Sequence, residues 1–197
     1  MTSGMVAVSV NFDTNDSGAQ DADNEIVLSI LNMDESLGPV LGYAFVQHVG
    51  QLSADVNVTW MTDDSMEDSF GKSFRKLSAA STVATFPCEV YLNYENWRHL
   101  RAHQQHWLKL GLNAYRQYQV CHEFGHALGV EHLASREDEK CNVMTSQTYT
   151  KKCTPNHRFT SADVAAFKHQ EDQGGFRRPS ALIYRPSNKQ VRVQQHR

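Results

Sequence analysis

The chain has 197 residues, 40% hydrophobic and 21% charged, enough to bury a core and few enough for one domain. No apolar run approaches membrane-spanning length, and no basic region followed by an apolar stretch opens the sequence, so neither a transmembrane span nor a signal peptide is expected. The net charge of −3 hides an asymmetry: residues 1–71 carry 12 acids and no base, and residues 174–197 carry six Lys/Arg and no acid, leaving 13 bases against 22 acids elsewhere, a balance that repels nucleic-acid phosphates.

Met5–Phe12 alternates Val6, Val8, Val10 and Phe12 with small or polar neighbours and reads as a half-buried strand. The acidic loop after it, with Asp13, Asn15, Ser17, Gly18 and Asp21, nearly fits a calcium loop. Asn24 stands at the twelfth place, where a bidentate acid is required, and Glu25 comes one residue later, so an ordinary Asp/Asn/Gly turn is preferred to a Ca2+ site. Asp23–Met33 places Ile26, Val27, Ile30 and Leu31 on one helical face. Gly42–Val49 and Asp55–Met61 read as strands, and polar Ser65–Ser81 is open between an edge loop, a short helix and an insertion. Glu89–Asn93 follows Pro87 as a further strand. Trp97–Leu110 and Leu112–Leu128 read as helices parted at Gly111. Ser161–Gln170 reads as a last helix capped by Thr160, with Val164, Ala165, Phe167 and Lys168 as its inner stripe. Pro179, Pro186 and Gly174-Gly175 make 174–197 a basic, flexible tail.

The segment from His122 to His132 carries the chemistry. On a helix His122 and His126 stand one turn apart on one face, and Glu123 falls beside them. Gly129 can adopt the left-handed conformation that ends a helix and turns the chain, which lets His132 become a third ligand. Three neutral imidazoles leave Zn2+ one open position for a water with its pKa pulled to about 7, and Glu123 is the general base that takes that water's proton. The expected reaction is peptide-bond hydrolysis without a covalent intermediate. His99, His103 and His106 share helical spacing but lack a carboxylate and a turn glycine, and read as surface or satisfied core residues.

The pattern HExxHxxGxxH resembles the zinc signature of the metzincin metallopeptidases, whose methionine turn is matched by Met144, twelve residues past His132. Closer likeness is to a group of exported actinobacterial metallopeptidases, seen in Val90–Trp97, Tyr115–Glu123, the Val-Met-x-x-Gln-Thr run Val143–Thr148, and Cys153-Thr154-Pro155-Asn156. The resemblance implies an α+β, metzincin-like fold: a twisted mixed β-sheet with a backing helix and an active-site helix above, and a small helical or irregular lower part holding the Met-turn. It implies one catalytic domain over 1–173, divided near 129/130, followed by the tail. Met144 would form an apolar floor under the imidazoles without bonding the metal. Cysteines near this turn in the look-alikes suggest a Cys141–Cys153 disulfide, which would close a loop of about 13 residues and add roughly 3 kcal/mol; two reduced thiols are the alternative. Cys88 and Cys121 read as buried thiols. Ser146 stands where some metzincins have a tyrosine, the nearest being Tyr149.

The resemblance also implies an extracytoplasmic location and a protein or peptide substrate bound extended along a sheet edge drawn from Ser81–Asn93; a monomer is expected. The function expected is thus that of a zinc-dependent endopeptidase. Its rival is a catalytically inactive, metzincin-like zinc-binding module acting in protein interaction, although a structural site closes with four protein ligands and has no use for Glu123.

Overall fold

The computed structural model describes residues 6–13, 18–34, 36–49, 54–62, 64, 88–100, 105–128, 130, 132, 143–144, 159 and 161–172. Four strands and six helices are described in an α+β arrangement: β1 (Val6–Asp13), α1 (Asp21–Asn32), α2 (Leu37–Leu41), β2 (Tyr43–Gln47), β3 (Val56–Met61), β4 (Cys88–Asn93), α3 (Tyr94–Arg98), α4 (Gln105–Leu110), α5 (Leu112–Ala127) and α6 (Ser161–Asp172). The strands form one sheet in the order β2-β1-β3-β4, and every described pairing is parallel.

Parallel sheets covered on both faces read as unbroken apolar runs, whereas these strands alternate. Val56, Val58 and Trp60 are buried while Asn57 and Thr59 are half-exposed, and in β4 Cys88, Val90 and Leu92 are buried around exposed Glu89. The register aligns Val10, Val56 and Cys88 across three strands, and Phe12, Val58 and Val90 beside them, so a single apolar face is built for helices to cover. Helix α1 supplies Val27, Ile30 and Leu31, and α5 supplies Val120, Cys121, Phe124 and Leu128, all in one core with the sheet, Val143, Met144 and Phe167. The Phe124 ring meets Phe45 of β2 edge-on at 5.8 Å. Polar ties lock the start of α1: Asp23 accepts from Trp97 Nε1 at 2.9 Å and Tyr94 Oη at 3.2 Å, and Asn24 Oδ1 accepts from Trp60 Nε1 at 2.7 Å. Asn24, the twelfth residue of the near-calcium pattern, is therefore turned into the core.

Two expectations are corrected. Trp97–Leu110 is not one helix: α3 starts three residues earlier because Asn93 Oδ1 accepts from the Asn96 N–H at 3.0 Å and caps it. It stops at His99, which is extended at φ −140° and ψ 135°, and the next described helix is Gln105–Leu110. In α6 the inward residues are Asp163, Ala166 and Phe167, while Ala165 and Lys168 are exposed. A buried carboxylate took the position that an apolar count assigns elsewhere. Helix α2 was not anticipated; Ser36 precedes it and Gly42 closes it with an N–H bond to the Gly38 carbonyl. Ser65–Ser81 and the tail 174–197 lie outside the described residues. Among the described residues no helix is long and apolar enough to cross a membrane.

Candidate metal centre

Helix α5 has two working faces. Cys121, Phe124 and Leu128 turn toward the sheet, where the Cys121 thiol lies 3.4 Å from the Ser36 hydroxyl. On the other side His122, Gly125 and His126 face the Val143–Met144 turn. The helix ends as Leu128 N–H bonds the Phe124 carbonyl at 3.0 Å and Val130 N–H reaches back to the Gly125 carbonyl at 3.0 Å. That second bond closes the six-to-one ring of a Schellman-type end, the turn expected near Gly129, which itself lies outside the described residues. The chain then returns His132 to the helix.

The three imidazoles converge. Their Nε2 atoms are 3.2 Å apart for His122–His126, 3.1 Å for His126–His132 and 3.3 Å for His122–His132. Two nitrogens bonded at about 2.0–2.1 Å to one tetrahedral zinc stand about 3.3–3.4 Å apart, so the triangle fits one ion. Tautomers fit as well. His122 Nδ1 lies 2.6 Å from the Val143 carbonyl oxygen and His126 Nδ1 2.7 Å from that of Val130. A carbonyl only accepts, so each Nδ1 carries the proton and each Nε2 turns a lone pair inward. Lone pairs converging at this range are stable around a cation.

Burial agrees with that role. It is the main force lowering His122 to about 4 and His126 to about 4 from an ordinary 6.5, opposed in each by the carbonyl bond, so both rings are neutral at physiological pH. Glu123 moves the other way: desolvation raises its carboxyl above the usual range, partly offset by His126. His132 is exposed, unlike the other two imidazoles. A group of three such residues that can hold a metal ion is therefore present at His122, His126 and His132.

Four supporting features were not read from the sequence. Gly125 stands so close to Met144 that a Cβ there would lie 2.9 Å from Met144 Cε and closer still to its sulfur. A glycine inside a helix costs about 1 kcal/mol relative to alanine, which was the available signal. Tyr118, one turn before His122, lays its ring 5.3 Å from that imidazole, tilted by 32°. Val143 contributes its carbonyl. Asp163 of α6, fully buried, accepts from the Met144 N–H at 3.1 Å and more loosely from the Val143 N–H at 3.4 Å. No spacing rule marks these last two.

Met144 is buried in the turn, with its side chain against Gly125 of α5. Cys88 and Cys121 are separate buried thiols, the first donating to the Ala127 carbonyl at 3.2 Å. Desolvation is the main reason their pKa values rise to about 11 and about 12. Cys141, Cys153, Tyr149 and His103 lie outside the described residues, as does the ring of His106.

A family model described as "Protein of unknown function (DUF3152)" matches residues 3–174. No curated protein matches the chain.

Proposed function

We propose that this chain, which belongs to the DUF3152 family, is a zinc-dependent endopeptidase with a metzincin-like fold. The observation that carries the reading is the triangle of Nε2 atoms at 3.1–3.3 Å with Glu123 next in sequence to the first of them. An all-imidazole set suits Zn2+ better than the oxygen-loving Mg2+ or Ca2+, and three protein ligands are the catalytic rather than the structural number. Bound there, the ion would supply a Lewis acid that polarises a substrate carbonyl and acidifies a water.

The chain's own groups do the rest. His122 and His126 are held neutral and correctly turned by the Val143 and Val130 carbonyls, so no reorganisation is required for ligation. Glu123 cannot share their face, since one residue along a helix is a rotation of about 100°. Its raised pKa makes it a stronger base than an exposed carboxylate. It takes a proton from the attacking water as the hydroxyl adds to the carbonyl carbon, then delivers that proton to the departing amine as the C–N bond breaks. No bond to the protein forms.

Substrate binding follows the sheet. β4 is the terminal strand of the described sheet, and an extended peptide adding beside it would pair by main-chain hydrogen bonds that are nearly indifferent to side chains. The test is casein degradation with and without a chelator, beside Glu123→Gln. We expect chelator-sensitive cleavage by the natural chain, and from the variant full zinc binding with cleavage lost at least a hundredfold. Zinc binding with no chelator-sensitive cleavage of any peptide library would replace the enzyme with a non-catalytic zinc-binding module.

A further inference from the structure

The amide between Val143 and Met144 is bonded on both sides. Its carbonyl oxygen accepts from His122 Nδ1 at 2.6 Å, and its N–H donates to Asp163 Oδ1 at 3.1 Å. The second carboxylate oxygen takes the preceding N–H, that of Val143, at 3.4 Å. Asp163 itself has no exposed surface, and the acceptor, the turn and the imidazole belong to three segments of chain separated by 19 to 21 residues. Nothing local forces this arrangement; α6 has to dock for it to exist.

We propose that Asp163 is a positioning residue for the metal centre, acting on His122 through the Val143–Met144 amide. Metal-binding histidines commonly give their second N–H to a carboxylate, which fixes the ring and raises its basicity. Here one peptide unit is inserted into that pair. A carboxylate accepting from an amide N–H draws the amide toward its charge-separated form, which loads negative charge on the carbonyl oxygen, and hydrogen bonds in such a chain strengthen one another. The Val143 carbonyl thereby becomes a better acceptor for His122 Nδ1–H, and His122 Nε2 a better donor of its lone pair. The same bonds hold the turn in place, with Met144 pressed on Gly125 between the two helical ligands. Among the described residues His126 Nδ1 meets the Val130 carbonyl of its own helix end, four residues away, so the two buried imidazoles are supported by different parts of the fold.

This inference rests on the three histidines holding a metal, and the experiment separates the two. Asp163→Asn keeps the size and one acceptor but sets an NH2 group against one of the turn N–H donors. Zinc alone is titrated into the natural chain, into Asp163→Asn, and into Val8→Ala, a cavity variant in β1, each in competition with a chromophoric chelator. We expect Asp163→Asn to lose about 10–100-fold in affinity and Val8→Ala to stay within about twofold of the natural chain. Equal affinity of a folded Asp163→Asn and the natural chain overturns the relay while leaving the metal site intact. Failure of the natural chain to bind zinc overturns the metal site and the relay with it. Should Asp163→Asn not fold, NMR of the natural chain decides: the Asp163 carboxyl carbon and the Met144 amide must shift as zinc is added, and resonances that do not respond overturn the relay.

Discussion

At His122 and His126 desolvation and hydrogen bonding pull the ring pKa in opposite directions, and desolvation wins, leaving both near 4 in the metal-free protein. The unfolded chain protonates these rings near 6.5. Between those values the unfolded state therefore binds more protons, and stability present in full above pH 6.5 is lost as pH falls toward 4, at up to about 1.4 kcal/mol per pH unit for each ring. Glu123 has the reverse sign: a raised carboxyl favours the folded state at low pH and loses that contribution as pH rises through its folded value. With that carboxyl removed in Glu123→Gln, denaturant unfolding of the metal-free chain should show lower stability at pH 5 than at pH 8; equal values would mean the rings are not buried neutral. Gly125 poses a different balance. Alanine would gain about 1 kcal/mol in helix propensity, yet its Cβ would meet Met144 Cε at 2.9 Å. Overpacking of this kind costs about 1–3 kcal/mol. Gly125→Ala should therefore be destabilising in a chemical denaturation curve, and Gly125→Ala with Met144→Ala should recover part of the loss relative to Met144→Ala alone.

Among the elements, α5 was legible almost to the residue, and α3 and α4 were not. Gly111, at φ 89° and ψ 164°, occupies a region that only glycine enters readily, and this parts α4 from α5 wherever the rest of the chain goes. Gly111→Ala should cost about 1–3 kcal/mol of stability, read from the midpoint of denaturant unfolding, with the α5 ligands still able to bind zinc. By contrast, apolar spacing carried Trp97–Leu110 through His99 as though it were helical. The break belongs to tertiary contacts: Trp97 is fully buried, its indole N–H is held by Asp23 of α1, and its carbonyl accepts from Arg116 Nε of α5 at 2.9 Å. Helix α6 was found with the wrong inner stripe for a related reason. An acid in the first turn of a helix reads as a solvated residue favoured by the helix dipole, whereas Asp163 faces inward to accept from the N–H groups of the Val143–Met144 turn.

For the whole molecule, the candidate ligands span the core: two are on the helix that covers the sheet, His126 meeting the Val130 carbonyl past that helix's end, and His122 meeting the Val143 carbonyl of a turn that α6 holds through Asp163. Zinc binding should then stabilise the entire fold rather than a loop. At a hundredfold excess over Kd the gain is about 2.7 kcal/mol, which for a chain of this size raises Tm by about 5–10 °C. His132 is exposed, so His132→Ala should leave the metal-free Tm nearly unchanged while removing most of the zinc-induced rise; a full rise in that variant would show that His132 is not a ligand. The sequence alone determined that His122 and His126 share one face of α5 with Glu123 beside them, because one-turn spacing on a helix follows from local geometry whatever surrounds it. Tertiary structure decided the strand order β2-β1-β3-β4, the burial that keeps two imidazoles neutral, the return of His132 to within 3.3 Å of its partners, and the enlistment of Val143 and Asp163. Those depend on where distant segments meet, and the packing of a core that joins sheet, helix and turn is the only thing that brings them together.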